Sequence, residues 1–168
     1  RLFVGIIQYH LFLGIINIDD SQEEVILDYP HKQSGVVNLR GKLEMELSQL
    51  GDDEESLAIF MDEYGVTELS LDKVVRHTYD LMGLQSFFTV GEDEVRAWTI
   101  DRGATAVDAA GTIHSDLAKG FIRAETIHYD ELMALGSMAA ARTAGKLRQE
   151  GKTYLMKDGD IVNVKFNL

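Results

Sequence analysis

Residues 86–100 read Ser86-Phe87-Phe88-Thr89-Val90, then Gly91-Glu92-Asp93-Glu94, then Val95-Arg96-Ala97-Trp98-Thr99-Ile100. Two runs rich in aromatic and β-branched residues flank a polar turn, which predicts a pair of short strands. Further along, a small helix fits Val107–Ala110, and Gly120–Ile127 reads as a strand with Phe121, Arg123, Glu125 and Ile127 on one face. Tyr129–Leu135 and the alanine-rich Met138–Glu150 read as helices. Thr153–Met156 and Ile161–Phe166 are expected to pair as a hairpin around Lys157-Asp158-Gly159-Asp160, because Asp-Gly favours the tight turn. Strands at both ends with helices between them imply a small mixed sheet.

Working back toward the N-terminus, residues 2–18 are apolar but interrupted by Gln8, Tyr9 and His10, and no small-residue cleavage site follows. They predict two short buried strands rather than a signal sequence or membrane span. A start inside such a strand suggests a piece of a longer protein. Gly35–Leu39 reads as a further strand, and Leu43, Leu47 and Leu50 fall at helical spacing over Lys42–Leu50. Asp52 or Asp53 is placed to cap a helix bearing Leu57, Phe60, Met61 and Tyr64, stopped by Gly65. Leu71, Val74, Val75, Thr78, Tyr79 and Met82 mark a second helix face that ends at Gly83.

The 168 residues carry 28 acidic and 16 basic side chains, for a net charge of −12. Residues 1–83 hold 16 acidic against 6 basic and residues 84–168 hold 12 against 10. A general nucleic-acid coat is therefore disfavoured, while a local basic patch remains open in the second half. The absence of cysteine excludes disulfides, thiol catalysis and cysteine-ligated zinc. The five histidines lack metal-site spacing, and Asp52–Glu55 lacks the alternation and glycine of a calcium loop. His114-Ser115-Asp116 reads as a turn capped by Ser115 or Asp116, since adjacent side chains do not form a catalytic pair. Trp98 reads as half-buried core.

Several segments taken in order carry a family resemblance. They are Phe87–Gly91, Glu94–Ile100, Ala110-Gly111-Thr112-Ile113-His114-Ser115-Asp116, Lys119–Glu125, Ala144-Gly145-Lys146-Leu147-Arg148, Gly151-Lys152 and Asp158–Val162. In this order they resemble the C-terminal TGS domain of the YchF or Obg-like ATPase family. More weakly, Gly41–Leu47, Asp72–Arg76 and Tyr79–Leu84 resemble the family's upstream segments. The resemblance implies an α/β (α+β) chain in which residues 84–168 form a β-grasp, ubiquitin-like TGS domain. Residues 1–50 would be the remnant of a nucleotide-binding (G) domain and residues 51–83 a helical connector. The family ends just after this last strand, which would make Leu168 the C-terminus.

Nucleotide hydrolysis by a P-loop needs a glycine-rich phosphate cradle, a lysine and a magnesium-binding Ser/Thr. No G-x-x-x-x-G-K-[ST] occurs here, so no cofactor is expected in this chain. ATP or GTP with Mg2+ is implied only for the full-length parent. By position in the resemblance, Asn17 and Asp20 would form a remnant base-reading corner, with Arg40, Gly41 and Lys42 as a second base-contacting loop. Ile18 replaces the stacking lysine of ordinary GTPases, and Asp20 stands where the family usually has Glu. The run from Arg142 to Lys157 is the basic exception, with Arg142, Lys146, Arg148, Lys152 and Lys157 against Glu150 alone. Taken as helical, Arg142 and Lys146 share a face. These cations, extended by Lys119 and Arg123, are either a solvated surface or phosphate contacts to ribosomal RNA, as the family's ribosome association implies. The expected partners are the ribosome and the nucleotide-binding half of the parent, in the cytoplasm, with neither membrane nor DNA. The alternative is a non-enzymatic β-grasp module that binds another protein.

Overall fold

The computed structural model describes residues 3–8, 11–17, 34–49, 53–67, 69–91 and 93–167. They divide into two units, 1–82 and 83–168. In the first, β1 (Phe3–Gln8) pairs antiparallel with β2 (Leu11–Asn17), and β2 pairs parallel with β3 (Ser34–Leu39). The expected strands at 2–18 and 35–39 are therefore present. α1 (Gly41–Ser48) follows β3 and buries Leu43 and Leu47, two of the three leucines whose spacing predicted it. α2 (Glu54–Glu63) is capped by Asp53, which accepts a bond from the Ser56 amide, and Gly65 follows it at a φ of 61°.

α3 (Ser70–Met82) packs against β2 and β3. Its first turn is tied by a carboxylate from another helix: Glu44 Oε1 accepts the Ser70 amide at 3.0 Å and the Ser70 hydroxyl as well. That tie fixes the roll of α3. Val74, Thr78 and Tyr79 are half-buried, whereas Leu71, Val75 and Met82 of the same expected face remain exposed.

In the second unit, β4 (Leu84–Val90) and β5 (Val95–Asp101) form the expected hairpin, closed by the Gly91 amide on the Glu94 carbonyl at 2.8 Å. β6 (Phe121–His128), β7 (Arg148–Glu150) and β8 (Asp160–Phe166) complete a sheet of order β5-β4-β8-β6-β7. β8 runs parallel to β4 and antiparallel to β6. Successive strand residues point to opposite faces, so Phe87 and Phe88 serve two cores. Phe87 lies with Ile100, Phe121, Ala124, Met156 and Val162 beneath α4 (Ala106–Ile113). The small Ala106, Ala109 and Ala110 let that helix approach closely. Phe88 packs on the opposite face with Ile127, Leu132, Ala141 and Ile161, covered by α6 (Tyr129–Leu135) and α7 (Met138–Thr143). α5 (Ser115–Lys119) precedes β6.

Three expectations are corrected. Phe121 does not share a face with Arg123, because a bulge between them shifts the register and sends Phe121 to the core beside Ala124. The helix expected over Met138–Glu150 stops after Thr143. Gly145, at a φ of 66°, turns the chain, and the Lys146 and Gly145 amides close back on the Ala141 and Arg142 carbonyls. The Asp158-Gly159 turn forms, but Thr153–Met156 is not its second strand. β8 is taken up by β4 and β6, and Leu155 makes only an isolated bridge to Thr105.

The Asn167 amide donates to the Gly120 carbonyl at 2.9 Å at the end of β8, and a Cβ on Gly120 would lie against the Asn167 carbonyl, 2.9 Å from its carbon. Gly120→Ala should therefore cost about 1–3 kcal/mol by overpacking. The midpoint of urea unfolding measures this, and an unchanged midpoint would mean the end of β8 yields freely.

Candidate functional site

The cationic segment after α7 is built by that helix's two ends. Ser137 caps the first turn by accepting the Ala140 amide, and Arg142 sits exposed in the last turn. With the helix broken at Gly145, Arg142 and Lys146 do not share a helical face. Lys146 is the first residue beyond the left-handed glycine, exposed, while Leu147 turns into the core beneath α6 and α7. Lys152 is exposed in the turn after β7, and its carbonyl accepts the Val107 amide at the start of α4. Among the described residues no ion pair involves Arg142, Lys146, Lys152 or Arg123. Lys119 is paired with Asp116 at 3.4 Å.

Arg148 is different. Its guanidinium reaches Glu131 and Glu150, each at 3.2 Å, and Asp160 at 3.3 Å. The Asp160 side chain is completely buried. Its Oδ2 also accepts the Tyr154 hydroxyl at 2.9 Å and the Lys157 amide at 3.0 Å. Burial pulls the Arg148 pKa down, but Tyr154, Asp160 and Glu150 outweigh it and hold the value above the ordinary one. Burial, and then the Asp160 carboxylate, raise the Tyr154 phenol. Arg148 thus neutralises a buried carboxylate, and little of its charge is left for a partner. No spacing in the sequence marks Tyr154, Arg148 and Asp160 as a cluster.

On the half of the sheet not covered by α6 and α7, Glu125 gathers polar groups. It accepts Gln149 Nε2 at 3.1 Å and pairs with Lys165 at 3.2 Å. The Gln149 bond, and then Lys165 and the Arg142 charge, lower its pKa against the effect of burial. Arg123 lies two residues before it on β6, opposite Lys165 of β8.

The residues expected to read a base belong to the first unit. Asn17 pairs with Leu39, so the ends of the parallel strands β2 and β3 lie side by side, with Arg40-Gly41-Lys42 starting α1 just beyond. That juxtaposition suits a ligand at the carboxyl ends of parallel strands. Among the described residues, the two cations there have other partners. Arg40 donates to the Tyr64 carbonyl at 3.1 Å, and Lys42, widely exposed, sits 4.0 Å from Glu46 one helical turn on. Asp20 lies outside the described residues.

Two histidines, His114 and His128, have structural work. His114 Nδ1, rather than Ser115 or Asp116, accepts the Asp116 amide and caps α5. His128 Nδ1 caps α6 by accepting the Asp130 amide, which leaves Nε2–H to donate to the Asp158 carbonyl at 2.9 Å. Trp98 is half-buried against Phe87 and donates to Thr89 at 3.0 Å. Among the described residues no acidic or histidine cluster fits a metal ion, and no helix is long and apolar enough to cross a membrane.

The family model YchF-GTPase_C, described as a protein of unknown function (DUF933), matches residues 84–167. The curated "Ribosome-binding ATPase YchF" of Bacillus subtilis (strain 168) is 46% identical over 133 residues, covering 79% of this chain and 36% of the relative. Its namesake from Escherichia coli O157:H7 is 41% identical over 163 residues, covering 94% and 44%. "Obg-like ATPase 1" of Gallus gallus is 43% identical over 132 residues, covering 79% and 33%. The solved YchF GTPase of Schizosaccharomyces pombe superposes with a TM-score of 0.65 at 36% identity, over 79% of this chain and 34% of that one. The chain thus spans less than half the length of each of these relatives.

Removing the Asp160 carboxylate strands Arg148 and Tyr154, so Asp160→Ala should destabilise the chain by about 3–5 kcal/mol. Pairing Asp160→Leu with Arg148→Met should recover much of that loss; a double variant as unstable as the single one would assign the cost to packing. Acid should act through the lowered carboxyls of Glu125 and of Asp108, which the Thr105 hydroxyl and amide hold down. Their folded pKa values lie below the unfolded ones. The stability they add is full above about pH 4–5 and is lost as pH falls through the folded values. A urea midpoint that rises on acidification below that range would contradict this.

Proposed function

We propose, from the premise that the chain belongs to the YchF family, which includes Obg-like ATPases, that it is the ribosome-docking C-terminal part of a nucleotide-hydrolysing protein. Residues 84–168 act as a TGS domain of the β-grasp type. The strand order β5-β4-β8-β6-β7, with a parallel last strand in the middle, supports that reading. Residues 1–50 are the remnant of the nucleotide-binding domain and residues 51–83 the connector. Hydrolysis of ATP, or of GTP, with Mg2+ belongs to the part of the parent that carries the phosphate cradle. Bound there, the nucleotide's base would lie near Asn17, Asp20 and Arg40-Gly41-Lys42, while the metal and phosphates would be held elsewhere.

The observation that carries the docking role is the exposure of Arg142, Lys146 and Lys152, without ion-pair partners among the described residues, in a chain of net charge −12. Cations left unpaired in so acidic a protein are available to phosphate. Ribosomal RNA in the cytoplasm offers phosphates at high density, and the acidic remainder of the chain would be repelled from it, which orients the approach. Arg123 and Lys119 extend the surface, and Arg148 holds the segment in place from beneath.

Co-sedimentation of the 168-residue chain with ribosomes should weaken steeply as salt rises, since phosphate contacts release counterions. Arg142→Glu combined with Lys146→Glu should reduce pelleting at low salt and flatten the salt dependence. Unchanged ribosome affinity in that double variant would sink the assignment.

A further inference from the structure

The sheet of the second unit has two unlike edges. β7 offers only three residues, a length too short to template another strand. β5 is seven residues long, pairs with β4 from end to end without a bulge, and contains neither proline nor lysine. A long edge free of bulges, proline and lysine can accept another strand, although Arg96 and Asp101 lie on it. The Gly91–Glu94 and Arg102–Gly83 bonds fix the hairpin's phase, so residues 94, 96, 98, 100 and 102 face β4. Val95 and Ala97 accordingly turn their backbone amides and carbonyls outward. Val95 is 70% exposed and Val90, opposite it, 41%. These valines give an incoming strand an apolar floor on one face.

Charge selects the occupant. Residues 91–102 carry Glu92, Asp93, Glu94 and Asp101 against Arg96 and Arg102, a net acidic stretch. Arg96 is bound to Glu94 at 2.7 Å and stacked 5.1 Å over Trp98, so its charge is already answered. A nucleic acid or an acidic peptide would meet like charge here. A second copy of this chain would set the same acidic residues against one another.

We infer that the outer edge of β5 docks a basic, extended polypeptide segment, added to the sheet as a further strand. Main-chain hydrogen bonds from Val95 and Ala97 supply affinity, and the acidic residues at the two ends of the strand favour lysine or arginine beside them. This site is separate from Arg142 and Lys146, and it stands or falls independently of RNA docking.

The probe is a short capped peptide of alternating lysine and valine, titrated into the isotope-labelled 168-residue chain and followed by amide shifts and hydrogen exchange. Slowed exchange of the Val95 and Ala97 amides is expected, with no comparable effect from the glutamate–valine counterpart. Ala97→Pro removes an outward amide that β4 does not use and should weaken binding at least about tenfold, equivalent to about 1.4 kcal/mol. If that variant disturbs the Gly91–Glu94 closure, Asp93→Lys with Asp101→Lys tests the same site and should also weaken the lysine–valine peptide. Protection confined to other amides, equal binding of the glutamate peptide, or undiminished binding by a folded variant would overturn the proposal. So would self-association through the same amides in the absence of peptide.

Discussion

The buried Asp160 carboxylate governs residues 83–168, because it begins the strand that must lie between β4 and β6. A bare carboxylate there would cost several kcal/mol, so the chain has to bring partners to it. Tyr154, the Lys157 amide and Arg148 do so. Meeting that demand draws residues 148–157 across the end of the sheet. Arg148 opens β7, and Met156 drops into the core while its carbonyl accepts Nε2 of the buried Gln85 side chain at 2.9 Å. Asp158, in the turn before β8, accepts the Ser86 amide at 2.8 Å and joins the turn to the hairpin. One ionic requirement therefore organises the strand order, the edge strand and part of the apolar core.

The same requirement sorts the cations. Five basic residues fall between Arg142 and Lys157, yet Arg148 alone is enclosed by three carboxylates. The other members of the run have no ion-pair partner among the described residues. Charge density read along the chain would treat them alike, whereas the fold divides them into one structural arginine and a set facing solvent. A similar division separates Glu125, which gathers Gln149 and Lys165, and Glu94, which holds Arg96, from Asp93 and Asp101, which have no ion-pair partner among the described residues.

The hairpin at 86–100 was legible because alternation, aromatic content and a polar turn all agree there. Gly65 and Gly83 as stops, and a cap at Asp52 or Asp53, were legible because stop and cap chemistry is local. The misreading over Met138–Glu150 was itself local, at Gly145, whereas the others concern what one segment meets in space. Alanine content favours continuing the helix through residue 150, but the left-handed Gly145 ends it and frees 148–150 to pair with β6. The Asp-Gly turn was visible, yet one of the two strands flanking β8, β4, pairs with it across more than seventy residues of sequence, Phe87 with Asp160. Of the candidate site, the exposed cations could be named from composition. The commitment of Arg148 could not, since Asp160 reaches it only when β7 and β8 flank β6, with Tyr154 between them.

The central position of β8 also bears on the order in which the domain is completed. As the chain is synthesised, β4, β5 and β6 emerge well before the strand that joins them, and the hairpin and β6 have no direct pairing with each other. Phe87 and Phe88 must wait for Val162 and Ile161. The unit closes only through contacts of long sequence separation, whose loop entropy is spent before any packing repays it. Ubiquitous local helices cannot hurry that step. Until residue 166 is free of the synthesising machinery, both faces of the unfinished sheet are open to the wrong neighbours.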